Sequence, residues 1–163
     1  MTDSFVIIVP ARAGSTRLPN KPLAMINGRS VISRIIDLAN SSNASNLYIA
    51  TDSEEIKDHC ESHGANVVMT SSDHISGMDR IAEAAKILDL PLGIPILNLQ
   101  GDEPFMPVQI INQLPMILST DTPISTACIK FSNATDFSSP HEVKVVRSVS
   151  KKAIYFSRAI IPN

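Results

Sequence analysis

Residues 5–23 are FVIIVPARAGSTRLPNKPL, and this stretch decides the fold. Phe5–Val9 is a continuous apolar, β-branched run that stops at Pro10, which predicts a strand buried on both faces. The next residues, 11–22, are rich in Gly, Ser, Pro and cations, which predicts a loop. In open α/β sheets, ligands bind beyond the carboxyl ends of the strands, where this loop would lie.

Strand and helix patterns alternate along the rest of the chain. Apolar runs predict strands at Leu47–Ala50, Asn66–Met69, Ile94–Leu99, Ile124–Ile129, Val143–Val146 and Ile154–Phe156. Lys144 interrupts the run at Val143–Val146, which predicts that it lies on a solvated face of that strand. Helical spacing predicts helices from Val31 and over Glu54–His63, Met78–Leu88 and Val108–Leu118, with Ser30 capping the first and Thr51 or Asp52 the second. This order predicts one α/β domain over residues 1–163, with a doubly wound, mostly parallel sheet and a Rossmann-like, nucleotide-binding character.

Composition excludes several classes of protein. Of the 163 residues 44% are hydrophobic and 18% are charged, which excludes a disordered chain. The net charge of −2 argues against a nucleic-acid or anionic-membrane binder. Cys60 and Cys128 lie far apart in sequence and in no metal-ligand spacing, which is typical of reduced thiols in a cytoplasmic protein. The apolar runs are too short to cross a bilayer. His59 and His63 have a zinc-compatible spacing, but no further ligand pair supports a metal there.

Positive charge is concentrated near the N-terminus. Residues 4–36 carry five cations and no carboxylate, leaving nine basic against 16 acidic residues elsewhere; the five are Arg12, Arg17, Lys21, Arg29 and Arg34. Gly14 allows close approach of the backbone, and Ser15 and Thr16 can face an anion. This loop therefore predicts a site for a triphosphate, although it lacks the P-loop and Gly-x-Gly-x-x-Gly fingerprints.

Two further motifs follow predicted strands. Gln100-Gly101-Asp102-Glu103-Pro104 places carboxylates where Mg²⁺ can be held together with phosphate oxygens; the alternative is an N-cap or turn acid before the helix at Val108–Leu118, which applies more to Glu103 than to Asp102. Residues 72–80, SDHISGMDR, open a helix, and Ser76 there can face a base or sugar. Arg80 either binds a substrate carboxylate or pairs with Glu83, and His74 is either a general base or a structural histidine.

Together these motifs resemble the 3-deoxy-manno-octulosonate cytidylyltransferase (CMP-Kdo synthetase) family. The resemblance covers the whole chain through VIIVPARAGSTRLPNKPL at 6–23, IATD at 49–52, SDHISGMDR at 72–80, NLQGDEP at 98–104, VKVV at 143–146 and YFSRAIIP at 155–162. It implies a glycosyltransferase-A-like fold and cytidylyl transfer from CTP to the anomeric hydroxyl of the octulosonate, for lipopolysaccharide precursor synthesis. Another acidic sugar or sugar phosphate, or non-catalytic nucleotide binding, remains the alternative.

The resemblance also implies roles for particular residues. The catalytic residues would be Arg12, Lys21 and Asp102, with Asp102 as the Mg²⁺ ligand. Nucleotide-binding residues would be Pro10, Ala11, Arg12, Ser15, Arg17, Lys21, Ser76 and Gln100. Substrate-binding residues would be Arg80, Gln100, Tyr155 and Arg158.

The chain departs from the family pattern in three places. Met78 stands where the family usually has Thr, and His141-Glu142 replace Asn and an apolar residue. Family members also continue well beyond Ile161, with a part that supplies a second metal-binding Asp, sugar-binding groups and much of a dimer contact. We therefore expect a truncated or abbreviated form, in which the family's homodimer is not assured and apolar residues 154–161 are exposed.

Overall fold

The first predicted strand lies at the centre of the structure. The computed structural model describes residues 4–14, 20–132 and 137–161. Strand β1 is Val6–Ala11, and Ile7, Ile8 and Val9 within it are completely buried, as the continuous apolar run predicts. The strand runs through Pro10 because a proline, which has no N–H to donate, is tolerated where a strand has a neighbour on one side only.

The other elements follow in chain order. They are β2 (Met25–Ile26), β3 (Arg29–Ser30), α1 (Val31–Asn40), β4 (Asn46–Thr51), α2 (Glu54–Ser62), β5 (Asn66–Met69), α3 (Gly77–Ile87), β6 (Ile96–Asn98), α4 (Val108–Met116), β7 (Lys144–Arg147) and β8 (Ala153–Ser157), with a 3₁₀ turn at Lys21–Leu23. Two compact units contain them, residues 1–125 with β1 to α4 and residues 126–163 with β7 and β8. A single domain over 1–163 stays a prediction. No helix in the described part of the chain is long and apolar enough to span a membrane.

The order of the strands places a crevice beside β1. The main sheet has the order β5-β4-β1-β6, and every neighbouring pair in it is parallel. The chain moves outward from β1 through β4 to β5 and then crosses to the opposite side of β1 with β6. The direction of winding therefore reverses between β1 and β6, and ligands bind at such a switch point, beyond the carboxyl ends of the strands.

Helices cover both faces of this sheet. Successive side chains of β1 point to opposite faces, so Ile7 packs in one cluster with Ile36 of α1 and Ile111 of α4. Ile8 packs in a second cluster with Ile81 of α3. The predicted doubly wound α/β arrangement is confirmed.

The second unit contains an antiparallel hairpin of β7 and β8. Lys144 at the start of β7 is buried, and its ammonium donates to the backbone oxygens of Ser139, Glu142 and Arg158, at 2.7, 2.9 and 2.8 Å. The predicted solvated position of Lys144 in this strand is therefore wrong. A buried ammonium needs acceptors for its three donors, and the three carbonyls provide them.

Two local predictions need correction, and one short element was not predicted. Residues 124–129 do not form a strand, and Ile124 and Ile129 are 83% and 93% exposed, because an apolar pattern forms a strand only where a partner strand completes its hydrogen bonds. Ser53, rather than Thr51 or Asp52, caps α2 by accepting from the backbone N–H of Ile56. The short hairpin of β2 and β3 was not predicted, since two-residue strands leave no periodic signal.

Candidate functional site

A cavity of about 270 Å³ lies at the carboxyl ends of β1 and β6. It is bordered by residues from three separate sequence motifs, those at 10–22, 74–80 and 100–102. Of the predicted site residues, it brings together Pro10, Ala11, Arg12, Lys21, Ser76, Arg80, Gln100 and Asp102. The roles assigned to these residues stay predictions, whereas their convergence on one cavity is a property of the fold.

The remaining predicted site residues fall into two groups. Ser15 and Arg17 lie outside the described residues. Tyr155 is an exposed residue of β8 in the second unit. Arg158, in the same unit, donates from Nη1 to the backbone oxygen of Pro140 at 2.9 Å.

The loop after β1 is closed by a backbone hydrogen bond. The N–H of Asn20 donates to the oxygen of Ala13 at 3.2 Å, and Asn20 adopts a left-handed conformation with φ of 51°. We call Ala13 and Asn20 the neck of this loop. Arg12 precedes the neck and is exposed, and Lys21 follows it. Arg12 and Lys21, the two described cations of the predicted triphosphate site, therefore flank the neck on either side in sequence.

Lys21 and Asp102, which both line the cavity, form an ion pair. Lys21 Nζ lies 2.6 Å from Asp102 Oδ2, although 81 residues separate the two in sequence. Their side chains are 40% and 51% exposed, so both charges stay in contact with solvent and can exchange partners. One cation and one carboxylate in an open cavity are suited to an anionic ligand that is accompanied by a divalent cation.

Two glycines allow the three motifs to approach one another. A Cβ on Gly77 would lie 3.2 Å from the ring of Pro10, and a Cβ on Gly101 would lie 3.3 Å from the Pro10 backbone oxygen. The start of α3 and the turn after β6 therefore both pack closely against the end of β1. Larger residues at these two positions would push the walls of the cavity apart.

Ser76 caps α3 at the edge of the cavity. Its Oγ accepts from the N–H of Asp79 at 3.2 Å, and its hydroxyl donates to Asp79 Oδ2 at 2.7 Å. Asp79 also accepts from the backbone N–H of Ser76, which completes a capping box. Asp79 therefore has a structural explanation, and contact of Ser76 with a base or sugar stays a prediction.

Arg80 lines the cavity but is engaged with protein groups. Its side chain is 2% exposed, Nη2 donates to Asp52 Oδ2 at 2.8 Å, and Nη1 donates to Thr70 Oγ1 at 2.5 Å. The carboxylate partner of Arg80 is thus Asp52, whereas Glu83 binds His74. Asp52 was predicted as a possible helix cap and not as a site residue, and IATD at 49–52, which contributes to the family resemblance, was the signal that could have found it.

His74 is oriented by a carboxylate. His74 Nε2 lies 2.6 Å from Glu83 Oε2, and this hydrogen bond, together with the N–H of Ser71, lowers the pKa of the Glu83 carboxyl. His74 borders the cavity. The hydrogen bond to Glu83 supports the interpretation of His74 as a structural histidine. Its role as a general base stays a prediction.

Other candidate ligands do not cluster. No group of three or more His, Cys, Asp or Glu side chains in residues 4–14, 20–132 and 137–161 could hold a metal ion. His59 instead lies 2.8 Å from Ser30 Oγ through Nε2, and burial lowers its pKa. Gln100 donates from Nε2 to Asn98 Oδ1 at 2.8 Å, so its amide is held at the end of β6.

Solved structures support this description of the fold. A structure of CMP:2-keto-3-deoxy-manno-octonic acid synthetase complexed with CTP superposes with a TM-score of 0.81 at 31% identity, covering 98% of this chain and 66% of that one. A cytidylyltransferase from Leptospira borgpetersenii superposes over 72% of this chain, with a TM-score of 0.57 at 24% identity, which concerns the fold alone.

Sequence comparisons point in the same direction. The 3-deoxy-manno-octulosonate cytidylyltransferase of Polynucleobacter necessarius is 44% identical over 160 residues, covering 97% of this chain. The protein of the same name from Francisella tularensis subsp. holarctica is 46% identical over 158 residues. The chain spans 63% of the length of each of these curated relatives. A family model described as cytidylyltransferase matches residues 6–163, and the chain belongs to the cytidylyltransferase family.

Proposed function

We propose that this protein transfers a cytidylyl group from CTP to the anomeric hydroxyl of 3-deoxy-manno-octulosonate. The observation that carries the proposal is the convergence of Arg12, Lys21 and Asp102 on one cavity at the β1–β6 switch point. Both quoted relatives are named for this reaction, and the structure at 31% identity contains CTP by its description. The choice of cytosine and of this sugar acid rests on that similarity, since the cavity by itself indicates only a nucleotide and its phosphates.

The reaction is a displacement at phosphorus. The anomeric oxygen of the sugar forms a bond to the α-phosphorus of CTP, the bond from that phosphorus to the β-phosphate oxygen breaks, and pyrophosphate leaves. The hydroxyl proton is released to a base or to water. Negative charge builds on the leaving pyrophosphate, and Arg12 and Lys21 are suited to stabilising it. To reach the phosphates, Lys21 would leave Asp102.

Mg²⁺ belongs to this proposal. Asp102 borders the cavity with its carboxylate about half exposed, and Mg²⁺ in nucleotide sites commonly takes one or two carboxylates together with phosphate oxygens and water. Asp102 therefore fits as the protein ligand. When bound, the ion neutralises phosphate charge and polarises phosphoryl oxygens.

The remaining assignments complete the proposal. Gln100 and Ser76 would face cytosine and sugar, and Arg158, Tyr155 and Arg80 would hold the sugar acid. The product would serve lipopolysaccharide precursor synthesis in the cytoplasm, where CTP is available.

A pyrophosphate-release assay with CTP, Mg²⁺ and the octulosonate tests the proposal. We expect turnover with CTP that exceeds turnover with ATP, GTP or UTP, and that exceeds turnover with a second sugar acid. Asp102→Asn should reduce turnover by about 100-fold or more, because charge on the phosphates is then poorly neutralised. Glu103→Gln is the matched control, since Glu103 is the neighbouring exposed acid.

Each other outcome contradicts part of the proposal. Binding of CTP without pyrophosphate release would point to a non-catalytic nucleotide-binding protein. Equal loss of activity in Asp102→Asn and Glu103→Gln would remove the metal-ligand assignment. Turnover with another sugar acceptor, without turnover of the octulosonate, would show that the octulosonate is not the substrate.

A further inference from the structure

A buried ion pair connects α3 with the carboxyl ends of β4 and β5. Arg80 donates to Asp52, which follows β4, and to Thr70, which follows β5. The Thr70 hydroxyl in turn donates to the backbone oxygen of Thr51 at 3.1 Å, so its oxygen can accept from Arg80. The guanidinium is therefore fixed on two sides, and it fixes one oxygen of Asp52.

The second oxygen of Asp52 faces the neck of the loop after β1. The N–H of Ala13 donates to Asp52 Oδ1 at 3.4 Å, and the oxygen of Ala13 accepts from Asn20. Asn20 also donates from Nδ2 to Glu55 Oε2 at 3.3 Å. Two carboxylates from residues 52–55 thus hold both members of the neck from the same side.

The position of the neck determines where the side chains of Arg12 and Lys21 leave the backbone. Arg12 immediately precedes Ala13, and Lys21 immediately follows Asn20. A neck that is already fixed before a ligand binds reduces the ordering that binding would otherwise require. The contact from Ala13 to Asp52 is long for a hydrogen bond, and the carboxylate that accepts it is held at its other oxygen by Arg80.

We propose that Asp52 is a positioning residue for the triphosphate part of the site. Held by Arg80, its carboxylate anchors the neck at Ala13 and thereby fixes the backbone from which Arg12 and Lys21 extend. This inference rests on the proposed function, because it concerns the phosphates of the same nucleotide. It gives Arg80 a second role, which acts through Asp52, in addition to the contact with the sugar acid proposed above.

Asp52→Asn tests the inference, with Thr70→Val as its matched control. Asp52→Asn removes the charge and one of the two acceptor oxygens of one partner of the guanidinium, and Thr70→Val removes the hydroxyl of its other partner, so both should lower the urea midpoint of unfolding. Only Asp52→Asn weakens the anchor of the neck. We expect it to raise the dissociation constant of CTP about fivefold, as the loss of one hydrogen bond of ordinary net strength would. Thr70→Val should leave that constant within about twofold.

Two further measurements separate positioning from general destabilisation. In Asp52→Asn the KM for CTP should rise more than kcat falls, and CMP, which lacks the outer phosphates, should lose less affinity than CTP. Hydrogen exchange at the Ala13 amide, followed by NMR on the full chain without ligand, should become faster in Asp52→Asn and stay unchanged in Thr70→Val.

The outcomes distinguish this inference from the proposed function. Equal CTP affinity in wild type and Asp52→Asn overturns the positioning role and leaves the proposed function intact. If the wild type does not bind CTP, the proposed function fails, and unchanged Ala13 exchange in Asp52→Asn would then overturn the anchor as well. If Asp52→Asn does not fold, Asp52→Glu keeps the charge for Arg80 but displaces the carboxylate, and unchanged CTP affinity in that variant overturns the inference.

Discussion

Replacing Lys21 with methionine separates the stability of the fold from binding of the nucleotide. The ion pair of Lys21 with Asp102 is short, at 2.6 Å, but the two side chains are 40% and 51% exposed. Water screens such a pair, so its loss should change the free energy of unfolding by less than about 1 kcal/mol. A hydrogen bond from this ammonium to a phosphate would be worth about 1.5–3 kcal/mol, which corresponds to about 10- to 150-fold in affinity.

We therefore expect Lys21→Met to bind CTP about 10- to 150-fold more weakly while unfolding at nearly the same urea concentration. Isothermal titration with CTP and Mg²⁺ measures the first quantity, and circular dichroism during urea unfolding measures the second. Lys57→Met is the control, because it removes the same charge from an ion pair with Glu54, of length 2.9 Å, on α2. Wild-type CTP affinity in Lys21→Met would refute the reasoning, and so would an equal loss of affinity in Lys57→Met.

Three other predictions follow from burial. Ile36→Ala, at a position 1% exposed in the main core, should lower the free energy of unfolding by about 2–5 kcal/mol in urea titrations, whereas Ile87→Ala, at a position 56% exposed, should change it by less than about 0.5 kcal/mol. Burial lowers the pKa of His59 below its ordinary value of 6.5, so the unfolded state binds more protons than the folded state near that pH. The free energy of unfolding should therefore fall as the pH drops through 6.5. His59→Gln should flatten that part of a plot of urea midpoint against pH. Burial also raises the pKa of the Cys60 thiol to about 12, so iodoacetamide should modify exposed Cys128 in the folded protein and Cys60 only after unfolding, as peptide mass spectrometry would show.

The apolar patterns were a good guide to the central sheet. Phe5–Val9 predicted a strand buried on both faces, and β1 lies between β4 and β6 with a helix layer on either side. Asn66–Met69 was predicted with the bounds that the structure has. These predictions succeed because a continuous apolar run is stable only where both of its faces are covered, and the sequence itself shows that requirement.

The same patterns failed where a structure depends on hydrogen-bond partners outside the pattern itself. Ile124–Ile129 has the composition of a strand, but no strand in the part of the chain that the structure describes pairs with it. Lys144 was expected in solvent, and three backbone carbonyls bring it into the interior of the second unit instead. In each case the outcome depends on which backbone groups are available as hydrogen-bond partners, and periodicity gives no information about that.

The sequence by itself determined that cations, a carboxylate and glycine-containing turns lie at the ends of buried parallel strands. Because parallel strands share one carboxyl edge, these groups had to lie on the same side of the sheet. Only the tertiary structure decided which of them meet: the strand order β5-β4-β1-β6 places Lys21 against Asp102, and it places Arg80 against Asp52 rather than Glu83. Contacts between residues so far apart in sequence depend on strand order and helix placement, which arise from packing of the whole chain and leave no local trace in the sequence.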